Sequence, residues 1–198
     1  MDSVDGFKLL ADAHDYLRTV VRGVPANAWG NPTPCAEWTV RQVFNHARLD
    51  QLALVMQITD IGPLSDPFSP EDAVGGDPLA DLGNALLTAT TAWESGRQAE
   101  FVPTPMGPMP ATVGTAAGAL DAALHAWDIA VATGQRDSAP LSDELAAGLE
   151  DIANQIVDFV RNSFGKYGPV VEVGSDASPA DKLLGFSGRN PAWTPTTP

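Results

Sequence analysis

The stretch Ala116–Gly134, AAGALDAALHAWDIAVATG, decides the fold of this chain. Leu120, Leu124, Trp127 and Val131 recur at helical spacing and form an apolar stripe that needs a core. Alanines fill most of the remaining surface, so the helix reads as buried on several sides. It is predicted to span Thr112 to Thr133 and to stop at Gly134, a glycine suited to the left-handed residue after a helix. Asp121 and His125 stand four residues apart, which stacks their side chains on one face about one turn apart. With Asp128 they flank the stripe, rotated by roughly 100°. A carboxylate on such a helix is costly unless it is paired or bound to a cation. Asp121 is therefore expected to have a partner.

The same period extends outward. A first helix is predicted from Ser3 to Val24, with Phe7, Leu10, Ala11, Leu17, Val20 and Val21 inward. It stops before Pro25, and Pro32 and Pro34 keep the next stretch irregular. The second helix begins after Trp38, where Thr39 and Gln42 have the spacing of a capping box, and runs to about Thr59. Gly62–Pro78 reads as a long loop. A third helix covers Asp77 to Glu100, and the prolines and glycine of FVPTPMGPMPA (101–111) favour an extended crossover into the fourth. A fifth runs from Ser142 to Phe164. The tail holds an extended piece, PVVEV, and a short helix near Asp181–Phe186. The expected fold is all-α: a four-helix bundle with an extended crossover between the third and fourth helices and a short C-terminal decoration. Residues 1–190 form one domain and 191–198 a flexible tail.

Composition narrows the function. The chain has 198 residues, 44% hydrophobic, enough for a sizeable core. Its net charge of −14 repels phosphate backbones and anionic lipid, so neither nucleic acid nor a membrane surface is an expected partner. A small-molecule substrate is expected instead, and oligomeric state stays open, a homodimer included. The start MDSVDGFKLLADAHDYL is not a signal peptide, and no segment nears the roughly 18 apolar residues of a membrane span. One cysteine excludes an internal disulfide and a thiolate metal cluster. A cytoplasmic location is expected.

The chain has three histidines. His46 lies just off the apolar stripe of the second helix, which in a bundle can share a central cavity with the fourth. His46, Asp121 and His125 would then offer two imidazoles and one carboxylate to a divalent ion, with a coordination position left open. From spacing alone two plainer readings stand beside this: an intrahelical Asp121–His125 pair and a satisfied core histidine at 46. Asp50 and Asp128 read as acceptors behind the ligands or as caps. His14, in a polar stretch, reads as solvated. Cys35 reads as a small buried side chain at a loop-to-helix junction. Phosphate-loop, dinucleotide and nucleophile-elbow motifs are absent.

Three segments carry a family resemblance. PTPCAEWTVRQVFNHARLD (Pro32–Asp50) resembles the PTPC..WTVR.L..H segment of actinobacterial DinB-like metal-binding proteins, which share a domain with the N-terminal part of mycothiol-dependent maleylpyruvate isomerase. LDAALHAWDIAVATG (Leu120–Gly134) is similar to their D...HxWDLAxATG helix. FGKYGPVVEVGSDASPADKLLGFSGRNPAW (Phe164–Trp193) resembles their FGPxVxVPxDAPxxDRLLAFLGRxPxW ending.

The resemblance implies a DinB-like four-helix bundle with a divalent metal on His46, Asp121 and His125. Many DinB-like proteins have a histidine where Asp121 stands, and the isomerase has a glutamate. Zinc is the expected metal, with nickel or iron as alternatives. A low-molecular-weight thiol such as mycothiol is the implied cofactor, activated by the metal in a transferase or isomerase. The isomerase carries an additional C-terminal domain for which this chain has no room. The alternative functions are a thiol-independent metal-dependent hydrolase, cyclase or isomerase of specialised metabolism, and a non-enzymatic metal-binding stress protein.

Overall fold

Six helices and no strand make up the described part of the chain, residues 5–195, in a computed structural model. They are α1 (Gly6–Arg22), α2 (Val40–Thr59), α3 (Pro78–Ser95), α4 (Ala111–Ala132), α5 (Asp143–Phe164) and α6 (Pro179–Phe186). The all-α class and the bundle predicted from the sequence are both present. Around the bundle the order is α1, α4, α2, α3, and α5 lies outside it against α4 and α1, with α6 on α5. Among the described residues no helix is long and apolar enough to cross a membrane.

α4 is the axis of the molecule. All of its residues except Thr112, Val113 and Asp121 are buried, because α1, α2 and α5 each pack on a different side of it. Small side chains make that possible. A Cβ on Gly114 would come 2.4 Å from the ring of buried Trp93, and one on Gly6 would come 2.0 Å from the carbonyl oxygen of Thr112. α1 therefore approaches α4 more closely than alanine allows, and the Trp93 ring, reaching across from α3, fills the space that a side chain at Gly114 would take.

Local signals set the helix ends. Thr39 and Gln42 form the expected capping box at the start of α2. Asp77, Ser142 and Ser178 cap α3, α5 and α6 with side-chain oxygens. Asp5 caps α1, which starts at Gly6; Ser3, the predicted start, lies outside the described residues. α3 ends at Ser95, capped by Gly96, rather than at Glu100. The α3–α4 connection folds back on itself at Gly107 (φ 103°), with Val102 and Met109 exchanging backbone hydrogen bonds of 2.8 and 3.0 Å.

His14 departs from expectation. It is 2% exposed, and its Nε2 lies 3.0 Å from Oε1 of Gln51, whose amide donates to the carbonyl of Gly118 at 3.0 Å. The helix turns this position inward together with Leu10 and Leu17, and the polar neighbours Asp12 and Asp15 face out. Burial pushes the His14 imidazole down to about 4, against the opposing hydrogen bond to Gln51.

Candidate metal centre

The bundle brings His46, Asp121 and His125 together: one donor atom from each lies within 4.8 Å of the others. Nε2 of His46 stands 3.6 Å, and Nε2 of His125 3.4 Å, from the same Asp121 oxygen, Oδ1. The two imidazoles meet edge-on, with ring centroids 4.6 Å apart. Donors of one tetrahedral zinc ion, each about 2.0–2.1 Å from it, sit about 3.3 Å apart. The spacing is thus long for a hydrogen bond and right for neighbouring ligands.

The other ring nitrogens are fastened from behind. Nδ1 of His46 lies 2.8 Å from the carbonyl of Pro67, and Nδ1 of His125 lies 2.9 Å from Oδ2 of Asp128. A carbonyl and a carboxylate can only accept, so each Nδ1 carries the proton and each Nε2 presents a lone pair inward. Three acceptor atoms then face one another, and Oδ2 of Asp121 is buried without a hydrogen-bond partner. Such an arrangement requires a positive charge at its centre, either a proton or a cation. The donor set fits a divalent ion.

Charge effects agree. Burial opposes ionisation of Asp121, but the charge of His125 and contact with both imidazoles outweigh it and hold the carboxyl below its usual range. For His125 burial is likewise outweighed by Asp121 and Asp128, and the ring is pushed well above the ordinary histidine value. Half-buried Asp50, one turn beyond His46, is pushed up to about 7 by burial and then by the charge of Asp121. Burial, followed by the same charge, raises the Tyr167 hydroxyl to about 12.

Asp128 is an acceptor behind His125, whose Nδ1 it receives at 2.9 Å. It is fully buried and receives the guanidinium of Arg189, with Nε to Oδ1 at 3.0 Å and Nη2 to Oδ2 at 2.7 Å. The thiol of Cys35 donates to Oδ2 at 3.2 Å. Burial, and then the charge of Asp128, push that thiol up, so Cys35 is a packing and donor group here.

The walls come from segments whose place the spacing does not reveal. The 60–77 connection is gripped by α2: Asn45 donates to the carbonyls of Glu71 (2.8 Å) and Ala73 (2.7 Å), and Thr39 to Asp72 (2.6 Å). That grip sets Pro67 on His46 and Phe68 beside it, at 5.6 Å between centroids. Trp38 packs against the same His46 ring at 4.8 Å between centroids. Lys166 lies over Phe68, with Nζ 4.3 Å from the ring. The 101–110 connection, predicted as a wall, instead lies before α4, about 15 Å along the helix from Asp121. Arg189 and Tyr167 are missed by helical spacing altogether. The signal for Arg189 is the buried Asp128, which demands a cation.

The sequence matches the mycothiol maleylpyruvate isomerase N-terminal domain family over residues 10–130. It is 30% identical over 183 residues to uncharacterized proteins from two strains of Mycobacterium tuberculosis, CDC 1551 / Oshkosh and ATCC 25618 / H37Rv. Each alignment covers 89% of this chain and 93% of the relative. No solved structure matches it. The match spans α2 and α4, the helices that carry all three converging residues, and the chain belongs to the mycothiol maleylpyruvate isomerase N-terminal domain family.

Proposed function

We propose that the protein is a metal-dependent enzyme acting on a small molecule, a thiol transferase or isomerase that uses a low-molecular-weight thiol. His46, Asp121 and His125 hold the ion, zinc by the chemistry of two imidazoles and one carboxylate. The observation that supports this best is the pair of fastened Nδ1 atoms, which leaves two Nε2 lone pairs and an orphaned Asp121 oxygen facing inward. A divalent ion there supplies Lewis acidity, lowering the pKa of a thiol or of water at its open position.

The chain's own groups do the rest. Pro67 and Asp128 orient the rings, while Trp38 and Phe68 keep water from the His46 side. Asp50 stands one turn from His46, near enough to feel the charge of Asp121. The thiol part of the proposal follows the family to which the chain belongs. Calorimetric titration of mycothiol into the zinc-loaded protein tests it, with glutathione as the comparator. The expected result is saturable mycothiol binding that releases a proton and disappears in Asp121→Asn. Zinc-loaded protein that takes up neither thiol contradicts the thiol reading.

A further inference from the structure

We propose that Arg189, carried by the segment after α6, is a positioning residue for His125 that acts through Asp128. The proposal rests on reading His46, Asp121 and His125 as a metal site. Arg189 lies outside the matched domain, residues 10–130.

Among the described residues, Asp128 is the one group of α4 that hydrogen-bonds the Arg189 guanidinium. Its Oδ2 accepts from Nδ1 of His125, from Cys35 and from Nη2 of Arg189. Its Oδ1 accepts from Nε of Arg189. Arg189 alone among these groups touches both oxygens. A carboxylate held at one oxygen can turn about its Cβ–Cγ bond, whereas a two-point fork fixes its plane. That plane aims Oδ2 at the imidazole, and the imidazole then aims Nε2 at Asp121 and His46.

The guanidinium is itself built in. The backbone N–H of Arg189 donates to Leu184 at 2.8 Å, Gly188 before it turns at φ 81°, and only a tenth of its side chain is exposed. Arg136, by contrast, donates only to the carbonyls of Pro191 and Trp193 and fastens the tail without reaching the site. α6 and the turn after it thus deliver one cation to one carboxylate. Groups that orient a ligating histidine in this way commonly contribute 10- to 100-fold in metal affinity.

The test compares the full-length protein with Arg189→Gln, Arg189→Lys, Asp128→Asn and the double variant Asp128→Asn/Arg189→Gln. Cobalt(II) alone is titrated, its visible absorption reporting affinity and ligand field. Nitrogen-edited NMR of the metal-free proteins reports the exchange-protected Nδ1 proton of His125. Arg189→Gln is expected to weaken cobalt binding about 10- to 100-fold and to lose the protected proton. Arg189→Lys, with the charge but not the fork, should recover part of both, and the double variant should bind no worse than Asp128→Asn alone. Cobalt affinity within twofold of the parent with the proton retained overturns the proposal, as does a double variant whose loss is the product of the single losses. If Arg189→Gln does not fold, Arg189→Lys decides by the same two readings. A parent protein that binds no cobalt contradicts the metal reading instead, and retention of the Nδ1 proton in the variants still decides the role of Arg189.

Discussion

His14 gives the plainest case of a residue whose surroundings set its chemistry. Buried against Gln51, its imidazole is held down at about 4, below the ordinary 6.5 that the unfolded chain retains. The neutral form is therefore the one that folding favours. Its contribution to stability is complete above about pH 6.5 and is lost as the pH falls from there through about 4, amounting to about 3 kcal/mol in all. Urea unfolding between pH 7 and pH 4 checks this: His14→Gln should be less stable at pH 7 but lose less stability on acidification. His14 also marks a limit of sequence reading. It falls in register with Leu10 and Leu17, but Asp12 and Asp15 around it lend the stretch a polar look. His46, Asp121 and His125 stood out because the chain has three histidines and Asp121 shares a helical face with His125. Spacing alone left plainer readings open, and it was the family resemblance that pointed to the three as one set. Arg189 was not, because its reach to Asp128 depends on how the tail folds over α4 and α5.

At the scale of elements, the glycines of α3 and α4 separate propensity from packing. Gly83 of α3 has nothing within 4 Å of an added Cβ, so Gly83→Ala should stabilise the protein by about 0.5–1 kcal/mol through helix propensity. Gly114 of α4 faces the buried ring of Trp93 at 2.4 Å, so Gly114→Ala should destabilise it by about 1–3 kcal/mol. Chemical denaturation of the two variants beside the parent reads both signs. The helices themselves were legible to within a few residues, since apolar period, capping box and C-terminal glycines all act locally. The 60–77 and 101–110 connections were not. Asn45 and Thr39 of α2 pull the first onto the site, and a turn at Gly107 closes the second on itself before α4 begins. These are tertiary contacts, and no spacing rule reports them.

Across the whole molecule, the three converging residues tie α2 to α4, the axis on which α1, α2 and α5 all pack. An ion bound there would favour the folded state over the unfolded chain by mass action. At free zinc one hundred times its dissociation constant this adds about 2.7 kcal/mol. For a chain of 198 residues the unfolding temperature should rise by about 5–10 °C, and a chelator should reverse it. His46→Ala and His125→Ala should show no such rise. The four-helix arrangement was legible from the helices and their order, whereas the packing of α5 on the outer side of α4 and α1 comes from the structure.

The most direct test of the central claim is elemental analysis of untagged protein purified without chelator, beside His46→Ala and Asp121→Asn. The proposed reading predicts close to one divalent ion per chain, zinc foremost, falling to a small fraction in both variants. Less than about a tenth of an equivalent in the parent, with the variants indistinguishable from it, would contradict the reading of His46, Asp121 and His125 as a metal centre.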